Sequence, residues 1–586
     1  MDIGVPSVRN LFRIKPERGL LWIVIGLTSI PLHLLYNSAV YTSVAANDFL
    51  VTVATNNHFA PGAYSNITEA LNGYLQMPFN TLAWGRYQYP DFKLFSDVLE
   101  GYNTSPSGYE GLTPSECTKL YNADYLSSHR NLFLITNHSS DTTYNNTLLD
   151  MIQVGNLGIS PSSWMCAYYL AGERRIYMET SVSCDPSELA SNVTSGLPWW
   201  VKLTTGEEVE ISGCKSEKIA EKCKVQFSLK IMIVVICCNL AKACCMVLAV
   251  VRSREPTLVT LGDAVDSFLR IPDPTTMGIC FADRQYIKRK WSRDGWRAEP
   301  RQWKQKGARR WWTSVSKTRW ITCNIFCSII IIAGGVSLRL GMDYDGQVRS
   351  TDLKSMWAQG FGKVNPVSLI ADELENVNKA MLLANLPQTI LSFLYLTYNS
   401  LFTCMLMGHE WSLFSHRHRT LRVTSPRPGQ RSTYWLQIPY TYAIPLMALS
   451  ALLHWLTSQS LFLTTIEISD PLGKGVPAKV SGLGYSCIAI IFVLTLGILA
   501  LLTAAGMGYK QFSAEITTVG SCSAAISAAC HVGKVDSEEI VRRKVHWGDV
   551  GVEPTLGVRH LTFSSGEGVR KPVFGEVYAG TGRDWE

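Results

Sequence analysis

The sequence predicts an α-helical polytopic membrane protein with about six transmembrane helices and a glycosylated extracytosolic domain of mixed or mainly helical structure. Three observations predict it. Several windows of about 20 residues, the length that crosses a bilayer, contain no Asp or Glu and almost no Lys or Arg. Charged residues are 17% of the 586 residues, against roughly 25% in soluble proteins. Basic residues and glycosylation sequons fall in different loops.

Six segments are apolar and long enough to cross a bilayer as helices. In chain order they are 20–41, 227–251, 320–338, 381–407, 438–463 and 483–507. The fifth is the least uniform, because it contains Pro439, Pro445 and His454. Membrane helices tolerate proline where neighbours satisfy the freed backbone groups. The first segment is interpreted as a retained span, because it is longer than a signal-peptide core and lacks a small-x-small cleavage site.

Charge predicts the orientation of these spans. One loop carries sixteen Lys/Arg against seven Asp/Glu, and another carries five Arg against one Glu. By the positive-inside rule, the cytosolic segments are 1–19, 252–319, 408–437 and 508–586. The predicted extracytosolic segments are 42–226, 339–380, which holds six acidic residues, and 464–482.

Segment 42–226 is long enough to form its own core. It holds five N-x-[ST] sequons, at Asn66, Asn103, Asn137, Asn145 and Asn192. It also holds five cysteines, which an oxidising lumen would pair, at Cys117, Cys166, Cys184, Cys214 and Cys223. Cys214 and Cys223 are close enough in sequence to close a small loop, and the odd thiol could pair with Cys487 or with another chain. The connectivity stays open.

Polar residues inside a span are candidate functional residues, because hydrocarbon does not solvate them. The candidates are Asn239 and Lys242 in the second span, Asn385, Gln388 and Asn399 in the fourth, and His454 in the fifth, with His33 in the first. Asn239 lies three residues before Lys242 and shares its helix face. Asn385 and Gln388 flank Pro387, which predicts either a proline-broken helix lining a cavity or ordinary interhelical hydrogen bonding. No predicted span contains Asp or Glu, so a buried lysine–carboxylate proton relay is not expected.

Basic residues alternate with tryptophans in 284–312. Beside a bilayer this pattern favours anionic inner-leaflet lipids, since each Lys or Arg near the surface contributes about 1 kcal/mol and Trp prefers the interface. A solvated positive-inside loop is the alternative, and nucleic acid is not an expected partner. The tail 508–586 is nearly neutral and rich in Gly and Ser, so it is expected to be partly disordered or docked on the basic loop.

Three functions stay open. The first is a receptor-like or scaffolding membrane protein whose outside domain binds an extracellular ligand, a partner protein or the cell wall. The second is a transporter or channel that uses the polar residues of the second, fourth and fifth spans. The third is a membrane enzyme, although the chain has no Walker A, HExxH, GxSxG or paired CxxC motif, so no catalytic residue, metal or cofactor is predicted. The plasma membrane is the expected location, and an endomembrane of the secretory pathway is the alternative.

Six stretches of the chain carry a resemblance. They are DIGVPSVRNL, SIPLHLLYNSAVY, LLANLPQ, QRSTYWLQIPYTYAIPL, LLHWLTSQSLF and SAAISAACH. Together they resemble a family of filamentous-fungal multi-pass membrane proteins that is defined only by a domain of unknown function. The family has no established activity, so no functional residue carries over. Its members usually have further sequence with at least one hydrophobic segment before the first stretch. The resemblance therefore implies either a truncated amino terminus or a divergent member here, and makes six spans a minimum for a full member.

Overall fold

The computed structural model combines helices and strands in a mixed α/β architecture. It describes residues 1–69, 92–104, 106–137, 146–155, 162, 164–165, 186–203, 207–221, 224–252, 257–290, 300–345, 351–366, 368–370, 377–434, 437–532, 537–552 and 557–580. The described helices are α1 (Val8–Leu11), α2 (Pro16–Leu35), α3 (Phe92–Thr104), α4 (Pro114–Tyr121), α5 (Pro186–Thr194), α6 (Leu229–Arg252), α7 (Leu261–Arg270), α8 (Arg284–Lys290), α9 (Lys317–Asp345), α10 (Leu353–Gln359), α11 (Val377–Phe414), α12 (Tyr440–Ser460), α13 (Cys487–Tyr509), α14 (Ser523–Ala528) and α15 (Ser537–Arg542).

Strands form two domains, one at each end of a bundle of long helices. The described strands are β1 (Val40–Asn47), β2 (Phe49–Thr55), β3 (Tyr109–Leu112), β4 (His129–Thr136), β5 (Leu148–Val154), β6 (Trp200–Lys202), β7 (Glu208–Lys218), β8 (Lys224–Phe227), β9 (Arg301–Gln302), β10 (Leu369–Ile370), β11 (Arg422–Val423), β12 (Arg431–Ser432), β13 (Leu461–Ser469), β14 (Ala478–Tyr485), β15 (His546–Val552), β16 (Arg559–Ser564) and β17 (Val577–Tyr578).

Five helices in the described part of the chain, α2, α6, α9, α11 and α13, are long and apolar enough to cross a membrane. They indicate a multi-pass membrane protein and imply a lipid bilayer. Their outward faces agree with this, since large side chains such as Ile236 and Leu240 on α6 and Ile325 and Ile329 on α9 are exposed. So much contiguous apolar surface is unfavourable in water and matches lipid tails.

The fifth predicted span forms α12, which is long enough to cross but is not one of the five apolar helices. Its 21 residues extend about 31 Å, yet they include His454, Gln459 and several hydroxyl side chains. At two junctions a strand overlaps the end of a predicted span. The chain enters β13 at Leu461, inside the predicted fifth span, and β14 runs on to Tyr485, inside the predicted sixth.

Helix α11 is the centre of the bundle. Its 38 residues extend about 57 Å. Near its start, Ala380 and Ala384 pack against Leu483 of β14, and at its end Trp411 and Phe414 lie in the core of the opposite domain. Helices α9, α12 and α13 surround α11, and α2 packs along it. Helix α6 packs against the other side of α2.

We call the described parts of 40–227, together with the hairpin 461–485, the sequon domain. A five-stranded sheet, ordered β10-β14-β13-β1-β8, lies at the helix ends. A second sheet, ordered β3-β7-β4-β2-β5 with β6 paired to β7, packs around Phe49, Leu134, Trp164 and Trp199. The expectation of mixed structure is therefore confirmed, and the expectation of mainly helical structure is wrong.

The disulfide in the sequon domain joins Cys117 of α4 to Cys214 of β7, with 6.6 Å between their Cα atoms. The suggested loop between Cys214 and Cys223 is therefore wrong. The pairing depends on the packing of α4 against β7, across 97 residues of sequence, which sequence spacing does not reveal. Cys166, Cys184 and Cys223 lie outside the described residues.

We call the described parts of 1–14, 257–316, 411–437 and 510–580 the basic-side domain. Its sheet, ordered β15-β16-β17-β9, joins the tail to the basic loop through the antiparallel pair β17–β9. Trp303, Trp411, Trp547 and Phe563 form part of one buried core. The described tail is thus folded and docked on the basic loop, and the expectation of partial disorder is wrong for it.

Asp2 anchors the amino-terminal segment to this domain. Its carboxylate accepts hydrogen bonds from Ser521 Oγ at 2.6 Å and Ser7 Oγ at 2.8 Å. Arg284 and Arg319 lie 3.4 and 3.6 Å from it. Burial disfavours the charged carboxylate, but the two hydroxyls and two guanidinium groups outweigh it, so the pKa of Asp2 is below its usual value.

Asp2→Asn should lower the stability of the basic-side domain by about 2 kcal/mol, because it leaves two partly buried guanidinium groups without their carboxylate. A thermal melt of the detergent-solubilised chain at neutral pH measures this loss. Glu17→Gln is the matched control, since Glu17 and Arg252 form an exposed ion pair at 3.3 Å that should contribute about 0.5 kcal/mol or less. Equal melting temperatures for the two variants would contradict the anchoring role.

A second buried polar group of this domain responds to acid. His531 Nε2 lies 2.8 Å from Thr276 Oγ1, which lies 2.8 Å from Ser527 Oγ. Burial, and after it the nearby His560, lower the pKa of His531 to about 4. The folded domain therefore holds this ring in its neutral form at pH values where an unfolded chain would already protonate it.

Because the folded pKa of His531 lies below the unfolded value of about 6.5, stability should be full above pH 6.5 and fall as the pH drops toward about 4. His531→Gln removes the titrating group, so its melting temperature should fall less over that interval. Melting curves of both proteins across this pH range make the test. Parallel profiles for wild type and variant would contradict the assignment.

Candidate functional site

Polar side chains from three helices meet on the bundle in the half nearer the sequon domain, where His33 is exposed and His454 and Ser392 are half-buried. His33 of α2 and His454 of α12 stack with ring centroids 6.4 Å apart and planes 21° apart. Ser392 Oγ of α11 lies 3.2 Å from His33 Nδ1 and 3.0 Å from the Gln388 carbonyl oxygen. A hydroxyl has one proton, so when Ser392 donates to that carbonyl, His33 Nδ1 must donate to Ser392, which leaves Nε2 as an acceptor.

The same cluster continues toward the sequon domain through two amide contacts. Asn37 Nδ2 donates to Gln388 Oε1, and Asn385 Nδ2 donates to Ser38 Oγ at 2.6 Å. Asn385 and Gln388 are 3% and 7% exposed. These bonds join the end of α2 to α11 and satisfy polar groups that lipid would leave without partners.

The predicted break at Pro387 is wrong, because α11 runs through it as one helix. Proline removes one backbone donor from the helix, and side chains around it add hydrogen bonds to nearby carbonyls. Asn385 Nδ2 also donates to the Met381 carbonyl at 3.0 Å, and Thr389 Oγ1 donates to the Asn385 carbonyl at 3.3 Å. The interhelical hydrogen bonding that the sequence left as an alternative is therefore what Asn385 and Gln388 make.

Lys242 approaches this cluster from α6. Helices α2 and α6 are antiparallel, and the Glu17–Arg252 pair joins their basic-side ends. Measured along the helix axes from that pair, Lys242 is about 15 Å away on α6 and His33 is about 24 Å away on α2. A helical side chain leans toward its own amino terminus, so Lys242 extends toward the level of His33. Its ammonium group is within electrostatic range of the His33 ring.

Two candidates from the sequence lie elsewhere. Asn239 is exposed on the surface of α6, and Asn399 lies about 16 Å along α11 from Gln388. Ser38 and Ser392 belong to the cluster although nothing in the sequence distinguishes them from other serines. Serine is common in membrane helices, where it often bonds only to its own helix backbone.

The cluster combines two imidazole rings, one ammonium group, amides and hydroxyls, and its described side chains include no carboxylate. Such a set can hold helices together, pass a proton between rings or attract a small anion. It has no nucleophile activated by a base, so covalent catalysis gains no support from it. Among the described residues, no three His, Cys, Asp or Glu side chains are placed to hold a metal ion.

The sequon asparagines have different surroundings. Asn137 at the end of β4 and Asn192 on α5 are exposed, and Asn66 is partly exposed. Asn103 belongs to α3, and Asn145 lies outside the described residues. Exposure leaves the first two open to modification, and glycosylation itself stays a prediction.

The tryptophans of 284–312 are mostly not available to lipid in the described part of the chain. Trp303 and Trp311 are 1% and 3% exposed, because they fill protein cores. Trp312 is 45% exposed, and near it Arg310 stacks over Tyr509 at 5.0 Å, at the end of α13. Among the described residues this boundary is where the predicted contact with anionic lipids remains possible in space, while Trp291 and Trp296 lie outside the described residues. The contact itself stays a prediction.

Comparison with known proteins finds two family models. A domain of unknown function (DUF8419) matches residues 296–580, and a family of unknown function (DUF6536) matches residues 1–43. The chain is similar to both. No curated protein and no solved structure matches it.

The two matched regions touch in the structure. Helix α2 packs along α11, and Asp2 forms a β-bridge with Cys522. Residues 44–295, which hold most of the sequon domain, lie outside both matches. The similarity therefore covers much of the helix bundle and the basic-side domain, and neither match assigns a function.

The amide contacts can be tested by removing one amide at a time. Asn385→Leu should lower stability by about 1 kcal/mol, because it leaves Ser38 buried without this partner in a site where interhelical hydrogen bonds contribute about 0.6–1.7 kcal/mol. Asn399→Leu, on the same helix and outside the cluster, is the control. Unfolding in mixed detergent measures both. A loss no greater than that of the control would show that the Asn385–Ser38 bond does not stabilise the bundle.

Proposed function

We propose that this protein is a receptor-like membrane protein, in which the sequon domain binds an extracellular ligand and α11 passes the resulting movement to the basic-side domain. The observation that carries the proposal is the course of α11. One uninterrupted helix begins against the five-stranded sheet of the sequon domain and ends in the core of the basic-side domain. A packed rod of this kind moves both of its ends together.

The attachment of the helices to the sequon domain supports the proposal. Helix α12 passes directly into β13, and β14 passes into α13 after a single residue, Ser486. The hairpin β13–β14 is in turn tied to the rest of the domain, because Asp48 N–H donates to the Ser469 carbonyl and Asn131 Nδ2 donates to the Pro471 carbonyl, both at 2.9 Å. A shift of the ligand-binding part therefore reaches the helices without a loop to absorb it.

The attachment at the other end is equally direct. Trp411 Nε1 donates to the Thr517 carbonyl at 2.9 Å, and Ser415 Oγ, just beyond the helix, donates to the Glu515 carbonyl at 3.1 Å. Trp411 itself is 1% exposed. A rotation or translation of α11 must therefore move the tail segment that these bonds hold.

The proposal includes the predicted sidedness. The sequons place the sequon domain outside the cytosol, and the positive-inside rule places the basic-side domain inside. The proposed location is the plasma membrane, with an endomembrane of the secretory pathway as the alternative. Helix α12 is proposed as the sixth span, because its length suffices and it packs between α11 and α13.

Transport is a second candidate, favoured by the cluster of His33, His454 and Lys242 at the level of the spanning helices. A carrier that uses this cluster should lose its activity in Lys242→Met while remaining folded. Coupling through α11 does not require the ammonium group, so the same variant should keep the response of the basic-side domain described next. No observation gives comparable support to a membrane enzyme.

The coupling test uses single-domain antibodies selected against the sequon domain of the purified full chain, since they can stand in for a ligand. Antibodies that bind there should change hydrogen–deuterium exchange in 510–520, at the far end of α11. Leu396→Gly places a flexible residue in the middle of α11 and costs about 1 kcal/mol. It should reduce the exchange response at least about twofold without weakening antibody binding.

Leu240→Gly is the matched control, because it changes another exposed leucine, in α6, which does not enter the basic-side core. Its exchange response should equal that of the wild type. The proposal fails if no antibody alters exchange in the basic-side domain, or if Leu396→Gly transmits as well as Leu240→Gly.

A further inference from the structure

A cavity of about 290 Å³ lies where the bundle meets the basic-side domain. It is bounded by the last turns of α11, the first turn of α12 and the segment that contains β11 and β12. Three of its lining side chains are arginines, Arg419, Arg422 and Arg431, and its only lining carboxylate among the described residues is Glu410. The cavity is therefore basic.

Arg422 and Glu410 neutralise each other. The Glu410 carboxylate accepts from Arg422 Nε at 3.0 Å and from Nη2 at 2.8 Å. Arg422 Nη1 donates to Thr433 Oγ1 at 2.8 Å and to the Gln437 carbonyl at 3.3 Å. This guanidinium group is 8% exposed and has its donors engaged, so it forms the wall of the cavity and has little left to offer a ligand.

Arg419 and Arg431 keep their charges available. Within the described residues, neither makes an ion pair with a carboxylate. Arg431 Nη2 donates to Tyr434 Oη at 2.9 Å and stacks over the Tyr434 ring at 5.6 Å, which fixes its direction. Burial, and after it the nearby Arg417, lower the pKa of Arg419, and the opposing effect of Glu410 offsets them only in part. The lining thus carries an excess of about two positive charges.

Apolar side chains line the part of the cavity that faces the bundle, beside the polar Thr403, His409 and Gln437. Leu406 and Met407 of α11 lie on this side, and so do Ile438, Pro439 and Tyr442 at the start of α12. Phosphate groups of a bilayer lie at the level where spanning helices leave the hydrocarbon. Apolar walls next to two available guanidinium groups therefore match a molecule with a phosphate head and an acyl tail.

We propose that this cavity is a binding site for a phosphate group, supplied by the headgroup of an anionic phospholipid, with Arg419 and Arg431 as the contacting side chains. Each guanidinium presents a planar fork of donors that fits phosphate oxygens. Tyr434 holds the Arg431 fork in place, and the acyl chains leave the cavity along Leu406 and Tyr442. The site is separate from the basic stretch 284–312 and does not depend on the proposed receptor function.

The test places the full purified chain in nanodiscs of phosphatidylcholine, with or without phosphatidate, and measures displacement of a fluorescent phosphatidate. The double variant Arg419→Gln/Arg431→Gln should bind at least about tenfold more weakly, since two charge-assisted contacts are lost. Arg417→Gln is the control, because it removes the same charge from an exposed neighbour outside the cavity. It should bind within about threefold of wild type.

Soluble competitors identify the source of the phosphate. If inorganic phosphate or glycerol 3-phosphate displaces the probe as well as phosphatidate does, the result supports a soluble phosphate as the natural occupant. Failure of both to displace it supports the lipid. If the double variant loses its fold, Arg431→Gln alone, at an exposed position, replaces it and should also weaken phosphatidate binding. Absence of phosphatidate binding in the wild type, or equal weakening in Arg417→Gln, overturns the proposal.

Discussion

Both ends of α11 are buried in folded domains, and the other long helices are arranged around it. The start of the helix is packed into a sheet and its end into a separate core, so the two domains cannot move independently of it. The other long helices assemble around this rod, with α9, α12 and α13 on one side and α2 on another. Their outer faces are apolar, as a bilayer requires, and their junctions with strands leave little backbone for lipid to contact.

Polar groups within such a bundle need partners, and the structure uses them in two ways. Near the sequon domain, Asn385 and Gln388 hold α11 to the end of α2 through side-chain hydrogen bonds. At the opposite boundary, Arg422 pairs with Glu410, while Arg419 and Arg431 make no ion pair among the described residues. In the first arrangement the amide groups bond to each other and to Ser38 within the protein, which is the pattern of a structural contact. The second leaves charge that a ligand can balance.

The sequence predicted the parts of the fold that depend on uniform composition. Long apolar runs marked the helices, and five of the six segments form helices apolar enough to span. The sequence failed where long-range packing decides. The fully buried strand β2, FLVTVAT, has no alternating pattern to distinguish it from a helix. The pairing of Cys117 with Cys214 and the meeting of Asp2 with Ser521 join residues far apart in the chain. The sequence predicted part of the polar cluster, because its amides and histidines interrupt apolar runs. Ser38 and Ser392 were not predicted.

The most direct test of the central claim is the sidedness of the two domains that α11 joins. Sealed microsomes containing the chain with a carboxy-terminal tag would be treated with external protease and, separately, opened and treated with glycosidase. We expect a gel shift from glycans on exposed sequons such as Asn137 and Asn192, and digestion of the tag from outside the vesicles. A protected tag, or a chain without glycans, would contradict the placement of the domains on opposite sides and remove the main support for signalling through α11.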